Sequence, residues 1–202
     1  MSIKVEFDPI DVSGITSAKL WIKGGSSSDP LGKKGSYQLI SSLFSRGCGS
    51  YNSIEMANIV ENCGAILRSE TYEEGILISL KCTDTDSEKL ISLIGLMINE
   101  PHFDTNQIKL EKELSIQALK RQRENPFQVA FDGWRKLAYL NGPYSHDPLG
   151  IQSDIISIKR EDLIQLSLQS RVNEKILVIG GSKSIKDLDK LKKIKYFERI
   201  NN

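Results

Sequence analysis

Apolar and polar residues alternate over Ile15–Lys23, with Ile15, Ala18, Leu20 and Ile22 on the apolar side, which predicts a half-buried strand. A loop rich in Gly, Ser, Asp and Pro follows over Gly24–Gly35. The period then lengthens: Leu39, Ile40, Leu43 and Phe44 share a helical face within Tyr37–Ser45, and Gly47 stops it. A second helix is predicted from Asn52, with Glu55 completing a capping box, Met56, Ile59, Val60 and Cys63 on its apolar face, and Gly64 as terminator. Two short strands, Ala65–Ser69 and Gly75–Lys81, are close enough to form a hairpin. Asp86–Asn99 is apolar nearly all round and reads as a buried helix ended by Pro101. Asp104 opens a long charged helix to about Arg123. Pro126 starts a strongly amphipathic one carrying Phe127, Ala130, Phe131, Trp134, Leu137 and Ala138. Asn141–Gly150 reads as a loop, Arg160–Ser170 as a helix, Lys175–Ile179 as a buried strand and Ser184–Lys193 as a last helix. Strands that return through a hairpin predict an α+β fold, with a mainly antiparallel sheet of about four to six strands packed against helices.

The chain has 202 residues, enough for one domain spanning 1–202 with a core that needs no covalent staple. Its 27 basic and 26 acidic residues leave a net charge of +1, which argues against nucleic acid or an anionic membrane as the main partner. The longest apolar stretch, Leu90–Ile98, is interrupted by Ser92 and Gly95 and is too short to span a bilayer. The first twenty residues carry Lys4, Glu6, Asp8 and Asp11, unlike a cleaved signal peptide. Cys48, Cys63 and Cys82 are odd in number and widely spaced, as for reduced thiols in a cytoplasmic protein.

Several stretches together resemble the N-terminal domain of the insulinase/pitrilysin peptidases, the family that includes the mitochondrial processing peptidases. They are Gly24 to Pro30, Gly35 to Gly47, the Asn52 helix ending Cys63-Gly64-Ala65, Asn99 to Asp104, Tyr144 to Gly150, and Asn173 to Gly181. Their order and spacing cover nearly the whole chain. The resemblance implies a metallopeptidase-like α+β domain. In active relatives two His and a Glu on one helix, in the order His-x-x-Glu-His, bind zinc and activate water, and a Glu from a later helix is the third ligand. Carried over by position, the first His falls on Gln38, the general base on Ser41, the second His on Ser42, and the third ligand on Ala118. An acidic residue two turns before the third ligand is kept as Glu111. Serine hydroxyls and an amide oxygen are poor zinc ligands, and alanine offers none. The resemblance therefore implies no zinc and no other cofactor here, with zinc expected only in active relatives.

Other candidate chemistry is sparse. His102 reads as a solvated or capping residue at a helix entrance, and His146 as a loop histidine in a structural hydrogen bond beside Asp147. Cys63 and Cys82 read as inert core, and Cys48, between Gly47 and Gly49, as an exposed thiol without a base. Gly180-Gly181-Ser182 lacks the spacing of a phosphate loop, and Gly24 to Ser28 reads as a flexible connector. The Phe127/Phe131/Trp134 stripe is expected in the core, and Lys109 to Arg123 on a solvated face.

The expected function is that of a non-catalytic homologue, a scaffold or peptide-capturing subunit. Its peptide or unfolded segment would add as a strand to a sheet edge. Family members usually carry a second, similar domain, so a homodimer or a hetero-partner with an active peptidase subunit is implied. Two readings stay open beside it: an active zinc-dependent endopeptidase, or its fragment, with atypical ligands, and a stand-alone protein-binding module.

Overall fold

The computed structural model describes residues 3–181. In chain order the elements are β1 (Ile3–Pro9), β2 (Ile15–Lys23), α1 (Ser36–Leu43), β3 (Gly47–Cys48), β4 (Tyr51–Asn52), α2 (Ser53–Asn62), β5 (Ile66–Thr71), β6 (Gly75–Thr83), α3 (Ser87–Asn99), α4 (Thr105–Gln122), α5 (Pro126–Tyr139), α6 (Gln152–Ser157), α7 (Arg160–Ser170) and β7 (Lys175–Gly181). The helix expected over Ser184–Lys193 lies outside the described residues.

The fold is α+β. Its main sheet has the order β1-β7-β2-β6-β5. Only β1 and β7 are parallel; β7–β2, β2–β6 and β6–β5 are antiparallel. β1 is an addition to the sequence expectation, although Ile3, Val5 and Phe7 alternate there with charged residues. The period-2 pattern places Ala18, Leu20 and Ile22 of β2, Ile76, Ile78 and Leu80 of β6, and Leu177 and Ile179 of β7 in the core. Leu39, Ile40 and Leu43 of α1, Leu90, Ile91, Ile94 and Met97 of α3, and Leu163 of α7 complete it. Each of the Leu, Ile and Met side chains contributes about 1.5–3 kcal/mol on burial. The capping box at Asn52 forms as the spacing predicts: Asn52 Oδ1 accepts from the Ile54 and Glu55 N–H groups, and Glu55 Oε2 accepts from the Asn52 N–H. Among the described residues no helix is long and apolar enough to cross a membrane.

Two expectations are overturned here. Gly24–Ser28 is a tied turn and not a flexible connector. Ser26 and Ser27 N–H donate to the Tyr72 and Glu73 carbonyls at 3.0 and 2.9 Å, and a Cβ on Gly25 would lie 2.1 Å from the Tyr72 carbonyl oxygen. The aromatic stripe of α5 is outside the core: Phe127 is 69% exposed, Trp134 52% and Leu137 80%. Among the described residues the helical members of the core come from α1, α2, α3, α4, α6 and α7, and none from α5. Its rings continue as a chain of contacts, Phe127–Phe131–Trp134–Tyr139–Tyr144, with centroids 5.3–6.0 Å apart.

Lys175 is a charged residue that the buried-strand reading treats as apolar. It is buried, and its Nζ donates to the carbonyls of Ser170, Arg171 and Asn173 at 3.1, 2.7 and 3.0 Å, closing the C-terminal end of α7. Burial, helped by the nearby Arg171 charge, lowers its pKa from 10.5 to about 8. A folded-state value below the unfolded one means that unfolding takes up a proton between these pH values. Stability from this group therefore rises as pH climbs from about 8 toward 10.5. Urea denaturation of the native chain and of Lys175→Met at pH 7.5 and 10 should show the native chain gaining on the variant at the higher pH; an unchanged difference would refute this.

Candidate functional site

The candidate site is built on α1, α4 and β5. Gly35, at φ 104°, precedes α1 as a residue in the left-handed region and supplies no side-chain cap. The cap comes instead from Asp29. Its buried carboxylate accepts from the Gly35 N–H at 2.7 Å and the Tyr37 N–H at 2.9 Å, satisfying two donors at the helix start. The hydroxyl of Tyr37 is harder to ionise than usual, through burial and then the Asp29 charge. Lys34 N–H donates to Asp154 Oδ2 at 3.0 Å and Ile151 N–H to the Lys34 carbonyl at 3.3 Å, so the segment before α1 is bound to the start of α6.

Gln38, Ser41 and Ser42 lie at i, i+3 and i+4 on α1. Gln38 Nε2 donates to Ser42 Oγ at 3.3 Å, so the first and third of these side chains converge. Ser41 is buried and shares a 2.7 Å hydrogen bond with Ser69 of β5. Just past α1, Arg46 Nε donates to Oε1 of the buried Glu111 of α4 at 2.6 Å. At the other end, Lys34 lines one cavity with Leu119 and Gln122 of α4. With Arg46, past the end of α1, on Glu111 in the first half of α4, and Lys34, before α1, beside Leu119 and Gln122 in its second half, α1 and α4 run in opposite senses. Ala118 is half-buried. The donor set does not suit zinc: an amide, two hydroxyls already engaged in hydrogen bonds, and a methyl group. Among the described residues no cluster of three or more His, Cys, Asp or Glu could hold a metal ion.

The remaining candidates lie elsewhere. His102 is neither solvated nor a cap: it is half-buried with Nε2 2.7 Å from the Gly49 carbonyl, tying the turn after β3 to the segment before α4, which Asp104 caps. Cys48 is fully buried, which corrects the expectation of an exposed thiol: its Sγ is 3.5 Å from Met56 Sδ, and burial together with Glu100 pushes its pKa up to about 12. Cys63 and Cys82 are buried as expected. His146 is buried, but its structural hydrogen bond is not made: Nε2 is 3.5 Å from Asp29 Oδ2, too long for a good bond, and Nδ1 has no partner. The Asp29 cap and the Arg46–Glu111 pair escape sequence reasoning, because both join residues from separate segments with no fixed spacing between them.

The chain belongs to the insulinase family of peptidases, peptidase family M16, whose model matches residues 11–149. It is 22% identical over 183 residues to the mitochondrial-processing peptidase subunit beta of Bos taurus, covering 90% of this chain and 37% of that protein. It is also 22% identical over 175 residues to the uncharacterized zinc protease YmxG of Bacillus subtilis, covering 85% of this chain and 43% of that one. Among solved structures, a peptidase M16 inactive domain from Pseudomonas fluorescens superposes with a TM-score of 0.87 at 19% identity, over 98% of this chain and 48% of that one. The first half of the periplasmic protease PqqL from Escherichia coli gives 0.87 at 12% identity, over 98% and 44%. The chain thus spans less than half the length of each of these relatives. Their shared fold is the α+β peptidase domain that the residues predict.

Proposed function

We propose that this domain is a non-catalytic member of its family that holds an extended peptide and works with a second, similar domain. What supports this reading is the residue set at the positions that the resemblance assigns to zinc, Gln38, Ser41, Ser42 and Ala118, within the family's fold, with Glu111 a buried acid two turns before the last of them. A peptide has a place to lie. β5 ends the described sheet, so one side of its backbone is free of strand partners among the described residues. The Ser41–Ser69 bond fixes α1 beside it. Main-chain hydrogen bonds to such an edge capture extended peptides with little demand on sequence. The exposed aromatic side of α5 is a surface that a second copy or an active peptidase subunit would cover.

The test uses N-acetylated, C-amidated extended peptides, titrated by NMR with zinc present. Shifts confined to β5 and α1 amides, with the peptides recovered intact, are expected. Chelator-sensitive cleavage would overturn the non-catalytic reading, and shifts that spare β5 would overturn strand addition.

A further inference from the structure

Among the described residues α5 is amphipathic in the reverse sense. Gln128, Asp132 and Arg135, at i, i+4 and i+7, share its inner side: the first two are half-buried and Arg135 is buried. Arg135 Nη1 donates to the His146 carbonyl at 2.6 Å and lies 3.5 Å from Glu73 Oε1, so this side is tied to the domain by polar contacts. The outer side is apolar. Phe127, Ala130, Trp134 and Leu137 are all exposed and recur at alternating intervals of three and four, the spacing of a helix that packs lengthwise on another helix. Lys136 is the one charged side chain among the exposed residues of α5, and it lies off this seam.

The exposed surface is large. Phe127, Val129, Trp134, Leu137, Tyr139 and Leu140 together leave on the order of 700 Å² uncovered, more than the largest apolar patch of a typical monomer and close to the share, about 800 Å², that one partner gives to a standard interface. Its main anchor is already ordered. The Trp134 ring stacks on Phe131 at 5.3 Å, and the Arg135 guanidinium lies 4.9 Å from the Phe131 ring centroid, so little side-chain freedom is left to lose on docking.

We propose that this seam packs against the same seam of a second copy of the chain, with the two α5 helices antiparallel. The inference rests on the pairing part of the function proposed above and gives that pairing a surface. The seam is complementary to itself in this sense. A two-fold axis level with residue 132 sets Trp134 of each copy against Ala130 of the other, large against small, and Phe127 against Leu137. A parallel pair would instead set Trp134 on Trp134 and Ala130 on Ala130, a crowded layer beside an empty one. With no charge at the seam positions, no like charges are brought together in the antiparallel pair.

Sedimentation velocity of the native chain, without peptide or zinc, tests it. A dimer with a Kd of about 1 μM or tighter is expected. Ala130→Trp, which overfills the layer, and Trp134→Ala, which empties it, should each weaken the dimer by about thirtyfold or more, the usual effect of losing a central Trp anchor. Both positions face solvent, so circular dichroism should stay that of the native chain. Ala130→Trp combined with Trp134→Ala exchanges the large and small members of the layer and should bring the dimer back. A native chain that stays monomeric, a dimer that neither single variant weakens, or a double variant no better than the single ones would each overturn the proposal. Peptide binding is read separately. A monomer that still binds the end-blocked peptides overturns the second-copy seam and leaves peptide holding in place, and a dimer that ignores them does the reverse.

Discussion

Replacing Gln38→His, Ser42→His and Ala118→Glu together is expected to give the chain a zinc site of micromolar affinity or better, about 8 kcal/mol of binding. Two imidazoles four residues apart on α1 reach one point, as the existing Gln38–Ser42 hydrogen bond already shows for the side chains present. The third ligand must come from α4. The Arg46–Glu111 bond ties α4 to the end of α1, and the family resemblance assigns the third position to Ala118. Imidazole must be neutral to bind, so the affinity should fall below about pH 6 with protons released on binding. Calorimetry in two buffers of different ionisation heat measures both. Adding Ser41→Glu would supply the general base, but Ser41 is buried against Ser69, so the longer side chain must displace that contact. For a folded three-ligand variant, absence of zinc heat would mean that α1 and α4 do not meet in the register assigned to them.

Asp29→Ala is expected to cost about 3 kcal/mol of stability, a fall in Tm of roughly 6–12 °C for a chain of this size. The carboxylate takes two backbone N–H groups at the start of α1, and without it the Gly35 and Tyr37 donors are left buried and unpaired. It is also the one acid within 3.5 Å of the His146 ring among the described residues. Asp29→Asn keeps an amide oxygen and should recover part of the loss. Thermal melts of both variants against the native chain decide it, and a loss under about 0.5 kcal/mol for Asp29→Ala would show that the helix start is held by something else.

Much of the architecture was legible because it is written in short-range periodicity. The alternation of Leu20 and Ile22, the all-round apolar helix at Leu90–Met97 and the Asn52–Glu55 box each depend on residues within one element. The candidate site was legible only through likeness to a family, since Gln38, Ser41 and Ser42 carry no chemistry that spacing alone would flag. What escaped depends on contacts that no fixed spacing signals. Asp29 is six and eight residues before the N–H groups it caps, and Arg46 meets an acid 65 positions away. The α5 stripe shows the opposite limit: its spacing gives an apolar side but does not say whether the rest of the chain covers it, and the described residues leave Phe127, Trp134 and Leu137 exposed.

The place of β7 bears on how the domain comes together during synthesis. It wedges between β1 and β2, pairing Val5 with Leu177 and Leu20 with the same residue from the other side. β1 therefore waits for β7, the last described strand, before one of its edges finds a partner. Hairpins over residues 15–83 can form early, but closure of the sheet is a late, long-range step. On the ribosome the emerging chain would present open β1 and β2 edges until about residue 181 has cleared the exit tunnel, an interval in which chaperone binding or mispairing between nascent chains is most consequential.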